Sequence, residues 1–300
     1  MSIVKIITHP GQAHQDDLTA VAVLLSMNPE AAVCRRVPTE QELEDHHVAV
    51  VDIGQQYDPR LNNFDHHQWE GESCPCAASL VIEHYTGLQR ADHAGQLYDC
   101  FPALKFLDTL DNHGPHKTAE QYVQCYQESQ VQAKACTNLL RDSFPMPLQF
   151  LLTAFQDWDV NEAWLRPCLT LMGTDILDQA KAYTKAVARI YQHEPPHVFR
   201  LVDGDGTPQY IAVYDDELTF TERRVLTQYL KGIGGFAVVA SHDDRGPGWS
   251  CVQFDGNTTM DTRRVAKDPR VLFAHKGGFI MKTKDELSIE EVVKLICEAY

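Results

Sequence analysis

The first part of the chain carries four short clusters of histidine and aspartate, the residue types that bind divalent cations through imidazole nitrogen and carboxylate oxygen. The clusters are His9 to Asp17, Asp52-Ile53-Gly54, Asp65-His66-His67 and Asp108 to Asn112. Each one alone has an ordinary explanation, because aspartate often forms turns and surface histidines are common. Four such clusters in order, each following an apolar segment or at a helix end, indicate a metal site.

This ligand set suits hard to borderline ions, with Mn²⁺ expected first and Mg²⁺, Zn²⁺ or Fe²⁺ as alternatives. Two such ions about 3.5–4 Å apart can share one carboxylate and activate a water for in-line attack on phosphorus. A nearby imidazole can protonate the leaving oxygen. The expected chemistry is therefore metal-dependent hydrolysis of a phosphoester.

The elements predicted around the first two clusters place them at one edge of a sheet. Apolar runs at Ile3–Thr8, Ala31–Val37 and Val48–Ile53 predict strands, and the apolar spacing of Asp17–Met27 predicts a helix. Strands that alternate with helices indicate a parallel sheet with helices on both faces. Ligands of such sheets bind beyond the carboxyl ends of the strands, which is where these clusters fall.

A mostly helical stretch follows, and the chain then returns to strands. Helical apolar spacing occurs in Cys76–Tyr85, Phe101–Leu110, Glu120–Leu140, Leu148–Trp158 and Ile176–Tyr191. The tail predicts strands at Val198–Val202, Tyr210–Tyr214, Phe236–Ala240 and Trp249–Phe254, with helices at Thr221–Leu230 and Ile289–Glu298. The double proline at 195–196 cannot continue a helix. We therefore expect an α/β fold, with a metal-binding domain and helical connector at 1–195 and a smaller α/β domain at 196–300.

Composition limits the substrate and the compartment. The net charge is −16, from 42 acidic and 26 basic residues, and no basic stripe suited to long nucleic acid is present. A short oligonucleotide or a small phosphorylated substrate fits better. The nine cysteines lack a disulfide framework spacing, which predicts reduced thiols. Without a secretory leader pattern or an apolar run of ~18 residues, we expect a cytoplasmic protein with no membrane partner, and a homodimer as one assembly state.

The order of the clusters resembles the DHH phosphoesterase superfamily, named for the triplet seen here as Asp65-His66-His67. It resembles more closely the melanocyte-proliferating-gene family of DHH-like metal-dependent exonucleases. That family opens with a His-x-Gly-x-x-His-x-Asp-Glu pattern, similar to the segment His9 to Asp17 with aspartate in place of the glutamate. Its later motifs are similar to Val50–Gly54, Tyr57-Asp58-Pro59, Asp65–Gln68, Ala77–Leu80, Asp108–Asn112 and Phe273–Ile280.

The resemblance implies a DHH-type parallel-sheet domain that holds two divalent ions, with Asp52 bridging them. For the acid of the fourth cluster we prefer Asp108 to Asp111, because Asp108-Thr109 resembles the corresponding superfamily motif. The implied ligands are His9, His14 and Asp52 for one ion, and Asp16, Asp52, His66 and Asp108 or Asp111 for the other.

The resemblance also implies roles around the metals. His67 would be the acid for the leaving group or a phosphate contact. Asp65 would orient an imidazole, with a local turn hydrogen bond as the alternative. Arg36, in the segment similar to the family's Arg-Thr-Arg strand end, is a candidate substrate-binding residue. Trp69 and Trp249 can stack on bases, but core or surface packing is the favoured interpretation.

The segment His275-Lys276-Gly277-Gly278 resembles the substrate-binding glycine loop of the smaller DHH-associated domain, with a hairpin turn as the alternative. Taken together, these features predict a two-metal-dependent phosphodiester hydrolase, a 3′-5′ exonuclease on short RNA or DNA. One alternative is a phosphatase or pyrophosphatase acting on a small substrate. Another is a metal-binding regulatory protein without turnover.

Overall fold

The computed structural model describes residues 2–69, 74–90, 96–124, 164–192, 196–202, 208–243, 245–254, 260–285 and 287–300. The chain divides into two compact units, residues 1–181 and 182–300. The division falls within a long helix, Leu165–Gln192. The boundary predicted near residue 195 is not tested by this division and stays a prediction. The helix predicted at Leu148–Trp158, and the part of Glu120–Leu140 beyond residue 124, lie outside the described residues.

The first unit contains a five-stranded sheet in the order β2-β1-β3-β5-β4. Its strands are β1 (Lys5–Thr8), β2 (Ala32–Arg35), β3 (Val48–Val51), β4 (Tyr57–Asp58) and β5 (Asn63–Phe64). All pairs are parallel except β4 with β5. The parallel sheet predicted from the sequence is thus confirmed. The chain leaves β1 towards β2 on one side and reaches β3 on the other, so the carboxyl ends of β1 and β3 flank a switch point where ligands bind.

The helices among the described residues of this unit begin with α1, which supplies part of the site. They are α1 (Gln15–Met27), α2 (Glu40–Leu43), α3 (Ala77–Thr86), α4 (Gln96–Cys100), α5 (Pro102–Gln124) and α6 (Leu165–Gln192). Helix α1 is buried from Asp16 to Leu25, which explains its apolar character all round. Helix α6 approaches it closely, because a Cβ atom on Gly173 would lie 2.0 Å from the Ala22 carbonyl oxygen.

The second unit holds a six-stranded sheet with two helices. The elements are β6 (His197–Val202), β7 (Pro208–Glu217), α7 (Phe220–Ile233), β8 (Phe236–His242), β9 (Trp249–Gln253), β10 (Val271–Ala274), β11 (Ile280–Thr283) and α8 (Ile289–Ala299). The strand order is β10-β11-β9-β8-β7-β6, in which only β7 and β8 pair in parallel. Trp249 lies in the core of this unit and donates from Nε1 to the Leu287 carbonyl, 2.8 Å away.

None of the described helices has the length and apolar character needed to cross a membrane.

Candidate metal centre

The carboxyl ends of three parallel strands bring three of the clusters together. His9 directly follows β1, Asp52 directly follows β3, and His66 comes two residues after β5. The two carboxylate oxygens of Asp52 face different imidazoles. Oδ2 lies 3.4 Å from His9 Nε2, and Oδ1 lies 3.2 Å from His66 Nε2. A carboxylate placed between two imidazoles in this way has the geometry of a bridging ligand.

Helices α1 and α5 complete the cluster from the other side. Asp16 lies in the first turn of α1 and is buried, and His14 is the residue at its N-cap. Asp111, on α5, has Oδ2 3.1 Å from His66 Nε2. The ligand atoms of His14, Asp16 and Asp111 all lie within 4.8 Å of one another, and so do those of His9, His14 and Asp52. The two groups share His14, so the cluster offers two adjacent sets of ligands.

Two of these ligand atoms are buried and have no hydrogen-bond partner, His9 Nε2 and Asp16 Oδ2. The His9 ring donates from Nδ1 to the Pro10 carbonyl oxygen at 2.9 Å, because that oxygen can only accept. Nε2 therefore faces the cluster, 3.2 Å from Asp17 Oδ2, and can bind a cation in its deprotonated form. A buried imidazole nitrogen and a buried carboxylate oxygen without hydrogen-bond partners are unfavourable unless a proton or a cation binds them. The residues present thus fit a divalent metal ion.

The charges of the cluster lead to the same conclusion. Burial, together with the negative charges of Asp52 and Asp111, raises the pKa of Asp16 well above its usual range. Burial also raises the pKa of Asp52, against the opposing hydrogen bond with His66. Burial alone would lower the pKa of His66, but its hydrogen bonds to Asp111 and Asp52 outweigh this and raise it to about 10. In the metal-free cluster, the positive charge near Asp16 and Asp52 is therefore insufficient to favour the ionised forms of these carboxylates.

In the fourth cluster the structure places Asp111, and not the preferred Asp108, beside the other candidate ligands; the ligand assignment itself stays a prediction. The buried Asp108 side chain accepts on Oδ1 from the Cys76 backbone N–H (2.9 Å) and the Ser79 hydroxyl (2.7 Å), and on Oδ2 from the Tyr98 hydroxyl (2.6 Å). Its oxygens tie the start of α3, and α4, to α5. Asp111 is the acid that faces the metal-ligand cluster. Residues three apart share one helix face, so packing alone decides which of them reaches the site.

Asp65 is fully buried and has a donor on each oxygen. Its Oδ1 accepts from His67 Nδ1 at 2.6 Å and from the backbone N–H of His66 at 2.7 Å. Its Oδ2 accepts from the Gln55 backbone N–H at 2.6 Å. Burial would raise the pKa of Asp65, but these donors keep it lowered. The local turn and the orientation of an imidazole, alternatives in the sequence analysis, therefore coexist, and the imidazole is that of the half-exposed His67.

Two residues that the sequence analysis did not propose as ligands or contacts lie against the cluster, Asp17 and Arg35. Asp17 Oδ2 is 3.2 Å from His9 Nε2, and its Oδ1 accepts from the His14 backbone N–H at 2.9 Å. Arg35 Nη2 donates to the Gly11 carbonyl at 3.0 Å and lies 3.9 Å from Asp17. The signal for Asp17 was its place in the opening motif, where it stands for the family's glutamate. Arg35 is the last residue of β2 and had no separate signal.

Arg36 lies outside the cluster. Its guanidinium donates twice to Glu42, at 2.6 and 2.8 Å, and once to its neighbour Val37. The pKa of the Glu42 carboxyl is lowered, mainly by its hydrogen bonds with Arg36 and next by the backbone N–H of Thr39. Arg36 is not among the described residues that line the cleft at the cluster. Its predicted contact with substrate stays a prediction, and in this structure its donors are engaged on α2.

The glycine loop lies in the second unit and forms the turn between β10 and β11. The backbone N–H of Gly277 donates to His275 Nδ1 at 3.0 Å, and that of Gly278 donates to the His275 carbonyl at 2.8 Å. Gly278 has φ 78°, and a Cβ there would lie 2.6 Å from Asp261 Oδ1, so this position requires glycine. Lys276 lies at the exposed tip. The segment is a hairpin turn, and its predicted substrate contacts stay a prediction.

The ligand cluster forms the floor of a cleft of about 900 Å³, within the size range of small-molecule sites. No lysine or arginine occurs among the described residues that line it. The apolar part of its lining is formed by Val37, Pro38, Leu43, Ile53 and Trp69, and the polar part by His9, His14, Asp52, Gln55, Asp65, His66, His67, Asp111 and Asn112, with Gly54 between them.

Comparison with known proteins gives a match that coincides with three of the clusters. The family model MYG1_exonuc, described as an uncharacterised protein family (UPF0160), matches residues 5–86. Over these residues the chain is similar to that family. The matched UPF0160 segment includes His9, Asp52 and His66, whereas Asp111 lies beyond it. The search of curated proteins gave no match.

The search of solved structures gave a weak likeness. One of the matching structures is described as the DHH domain of a member of the s1p family of ribosomal proteins. It is 14% identical, with a TM-score of 0.33, and the alignment covers 99% of this chain and 86% of that chain.

Proposed function

We propose that the first unit is a two-metal-dependent phosphodiester hydrolase. The observation that carries the proposal is the pair of buried ligand atoms without partners, His9 Nε2 and Asp16 Oδ2, inside a histidine–aspartate cluster at the switch point of a parallel sheet. The name of the matching family model, which refers to an exonuclease, supports the same reaction class.

Under this proposal His9, His14 and Asp52 would hold one cation, and Asp16, Asp52, His66 and Asp111 would hold the other. We expect Mn²⁺ first, with Mg²⁺ as the alternative, because the set mixes imidazole with carboxylate. Bound ions of this kind polarise phosphoryl oxygens and lower the pKa of a coordinated water.

The chain's own residues supply orientation and a proton. Asp65 accepts from His67 Nδ1, which leaves the other ring nitrogen of His67 to face the cleft. The hydrogen bond to Asp65 raises the pKa of His67, which strengthens its hold on a ring proton. We assign to His67 the transfer of that proton to the leaving oxygen. Asp17 positions His14 by accepting from its backbone N–H.

The charge of the cleft favours a diester over a small anhydride. A phosphodiester carries one negative charge at each phosphate, whereas pyrophosphate carries several. The described lining provides histidines but no lysine or arginine to neutralise such a substrate. We therefore propose a short RNA or DNA end as the substrate. Removal of nucleotides from the 3′ end is proposed from the family resemblance alone. The net charge of −16 also disfavours a long duplex.

The test is hydrolysis of a labelled short RNA, a matching DNA and pyrophosphate, each with Mn²⁺, with Mg²⁺ and with chelator. We expect metal-dependent release of mononucleotides, lost in His66→Ala and retained in His46→Ala, a matched change at an exposed histidine of the same unit. Turnover of pyrophosphate alone would favour the small-phosphate alternative. Bound metal without turnover of any of the three would favour the regulatory alternative.

A further inference from the structure

The cleft has an apolar part to its lining beside its cluster of charged residues. Val37, Pro38 and Trp69 contribute to this apolar lining, and Val37 is 65% exposed. Val37, Trp69 and the neighbouring Tyr57 are three of the five large apolar side chains that the described part of the first unit leaves exposed. Exposed apolar surface is thus concentrated at this one place, which indicates a binding surface.

The indole of Trp69 is held in place by its surroundings. Its backbone N–H donates to the His66 carbonyl at 3.0 Å, which ties it to a proposed metal ligand. The Tyr57 ring meets the indole edge-on, with centroids 5.2 Å apart, and in turn meets the buried Phe64 ring at 6.4 Å. This row of aromatic contacts connects Trp69 to the core. A ring fixed before binding loses little freedom when a ligand stacks on it.

The two parts of the cleft differ in the ligand chemistry they suit. The histidine–aspartate floor, with its cations, suits a phosphate. The apolar lining, formed by Val37, Pro38, Leu43, Ile53 and Trp69, carries no charge and suits an uncharged, planar group. A nucleotide combines a phosphate with such a group in one small molecule, whereas pyrophosphate or a sugar phosphate would leave the apolar lining without a partner.

We infer that this apolar lining binds the nucleobase of the nucleotide being removed, with Trp69 as its stacking surface; the inference rests on the proposed function. Val37 and Pro38 add apolar surface in the same cleft. Stacking on an aromatic face tolerates all four bases. The site therefore selects for the presence of a base rather than for its identity.

The experiment compares a short oligonucleotide with one that carries an abasic nucleotide at each end, both with Mn²⁺. We expect the wild-type kcat/KM for the abasic substrate to be lower by about tenfold or more than that for the oligonucleotide with all its bases. Trp69→Ala should reduce this ratio towards one, and Trp69→Phe should keep most of it. Leu171→Ala, which removes an exposed apolar side chain on α6, is the matched control and should keep the ratio.

A binding measurement gives a readout that does not depend on turnover. Calorimetry should show adenosine monophosphate binding about tenfold or more tightly than ribose 5-phosphate, with the preference lost in Trp69→Ala. Equal binding of the two, or equal hydrolysis of both substrates by the wild type, would overturn the base site while leaving the phosphodiesterase proposal intact. A clear preference for the base without hydrolysis of either oligonucleotide would keep the base site and overturn the proposed function.

Discussion

Asp108 and Asp111, the two acids of the fourth cluster, should respond differently to replacement. Replacing Asp108 should lower the stability of the fold, whereas replacing Asp111 should weaken metal binding. Asp108→Asn keeps the shape but replaces one of two accepting oxygens with an NH₂ group. The three donors around Asp108 come from Cys76, Ser79 and Tyr98, and an amide cannot satisfy donors on both sides. Hydrogen bonds to a charged acceptor contribute about 1.5–3 kcal/mol each. We expect a loss of about 2–4 kcal/mol in the free energy of unfolding.

Asp111→Asn should leave the metal-free protein about as stable as before. It removes the hydrogen bond to His66, but it also removes a negative charge that raises the pKa values of Asp16 and Asp52. We expect a net change within about 1 kcal/mol. The affinity for Mn²⁺ should fall by more than the roughly 100-fold that loss of an outer-sphere partner costs, because a direct ligand is lost.

The assay is thermal unfolding in chelator combined with calorimetric titration of Mn²⁺. At about 2–4 °C per kcal/mol, Asp108→Asn should lower the Tm by roughly 5–15 °C. Asp178→Asn, at an exposed acid of α6, is the control for loss of a carboxylate charge. If Asp108→Asn abolished Mn²⁺ binding at an unchanged Tm, and Asp111→Asn bound normally, the assignment of the two acids would be the reverse of the one argued here.

Three further outcomes are expected. The pKa of His9 is raised to about 9, chiefly by Asp17, and that of His66 to about 10. Each histidine therefore contributes stability that is fully present below its pKa of 6.5 in the unfolded chain and is lost as the pH rises through its pKa in the folded protein. Urea unfolding in chelator should therefore show stability falling from pH 6.5 to 8.5, with a smaller fall in Mn²⁺; a rise in chelator would contradict this. Arg36→Ala, at a side chain 42% exposed, should lower the free energy of urea unfolding by less than about 1 kcal/mol. Gly173→Ala, whose Cβ would overlap the Ala22 carbonyl, should lower it by about 1–3 kcal/mol or more.

The convergence of the clusters could be predicted from the sequence because it depends on strand polarity. The apolar runs before His9 and Asp52 predict buried parallel strands, and the carboxyl ends of parallel strands meet at one edge of the sheet. His66 follows β5, which is only two residues long. Its position directly after Asp65, at the carboxyl end of this parallel strand, nevertheless places it beside His9 and Asp52. The metal-binding floor of the cleft therefore follows from order along the chain.

Which of two nearby residues of the same type reaches the site could not be predicted in this way. Arg35 and Arg36 are adjacent at the end of β2, and neighbouring side chains of a strand point to opposite faces. Only the contact of Arg36 with Glu42 and that of Arg35 with Gly11 show which of them lies at the cluster. The choice between the two acids of α5 likewise depends on which one meets α3 and α4. Contacts between distant segments set these outcomes, and local pattern carries no information on them.

The two neighbouring acids of α1 show why cation binding should be coupled to stability. Both lie in the first turn, where the helix dipole favours a carboxylate by about 0.3–1 kcal/mol. Asp17 also accepts from the Thr8 hydroxyl and the His14 backbone N–H, whereas Asp16 Oδ2 has no donor at all. The dipole alone is too weak to offset the burial that raises the pKa of Asp16 so far. A proton neutralises this carboxylate in the metal-free state, whereas a cation stabilises its ionised form, so a divalent ion at 100 times its Kd should stabilise the folded chain by about 2.7 kcal/mol.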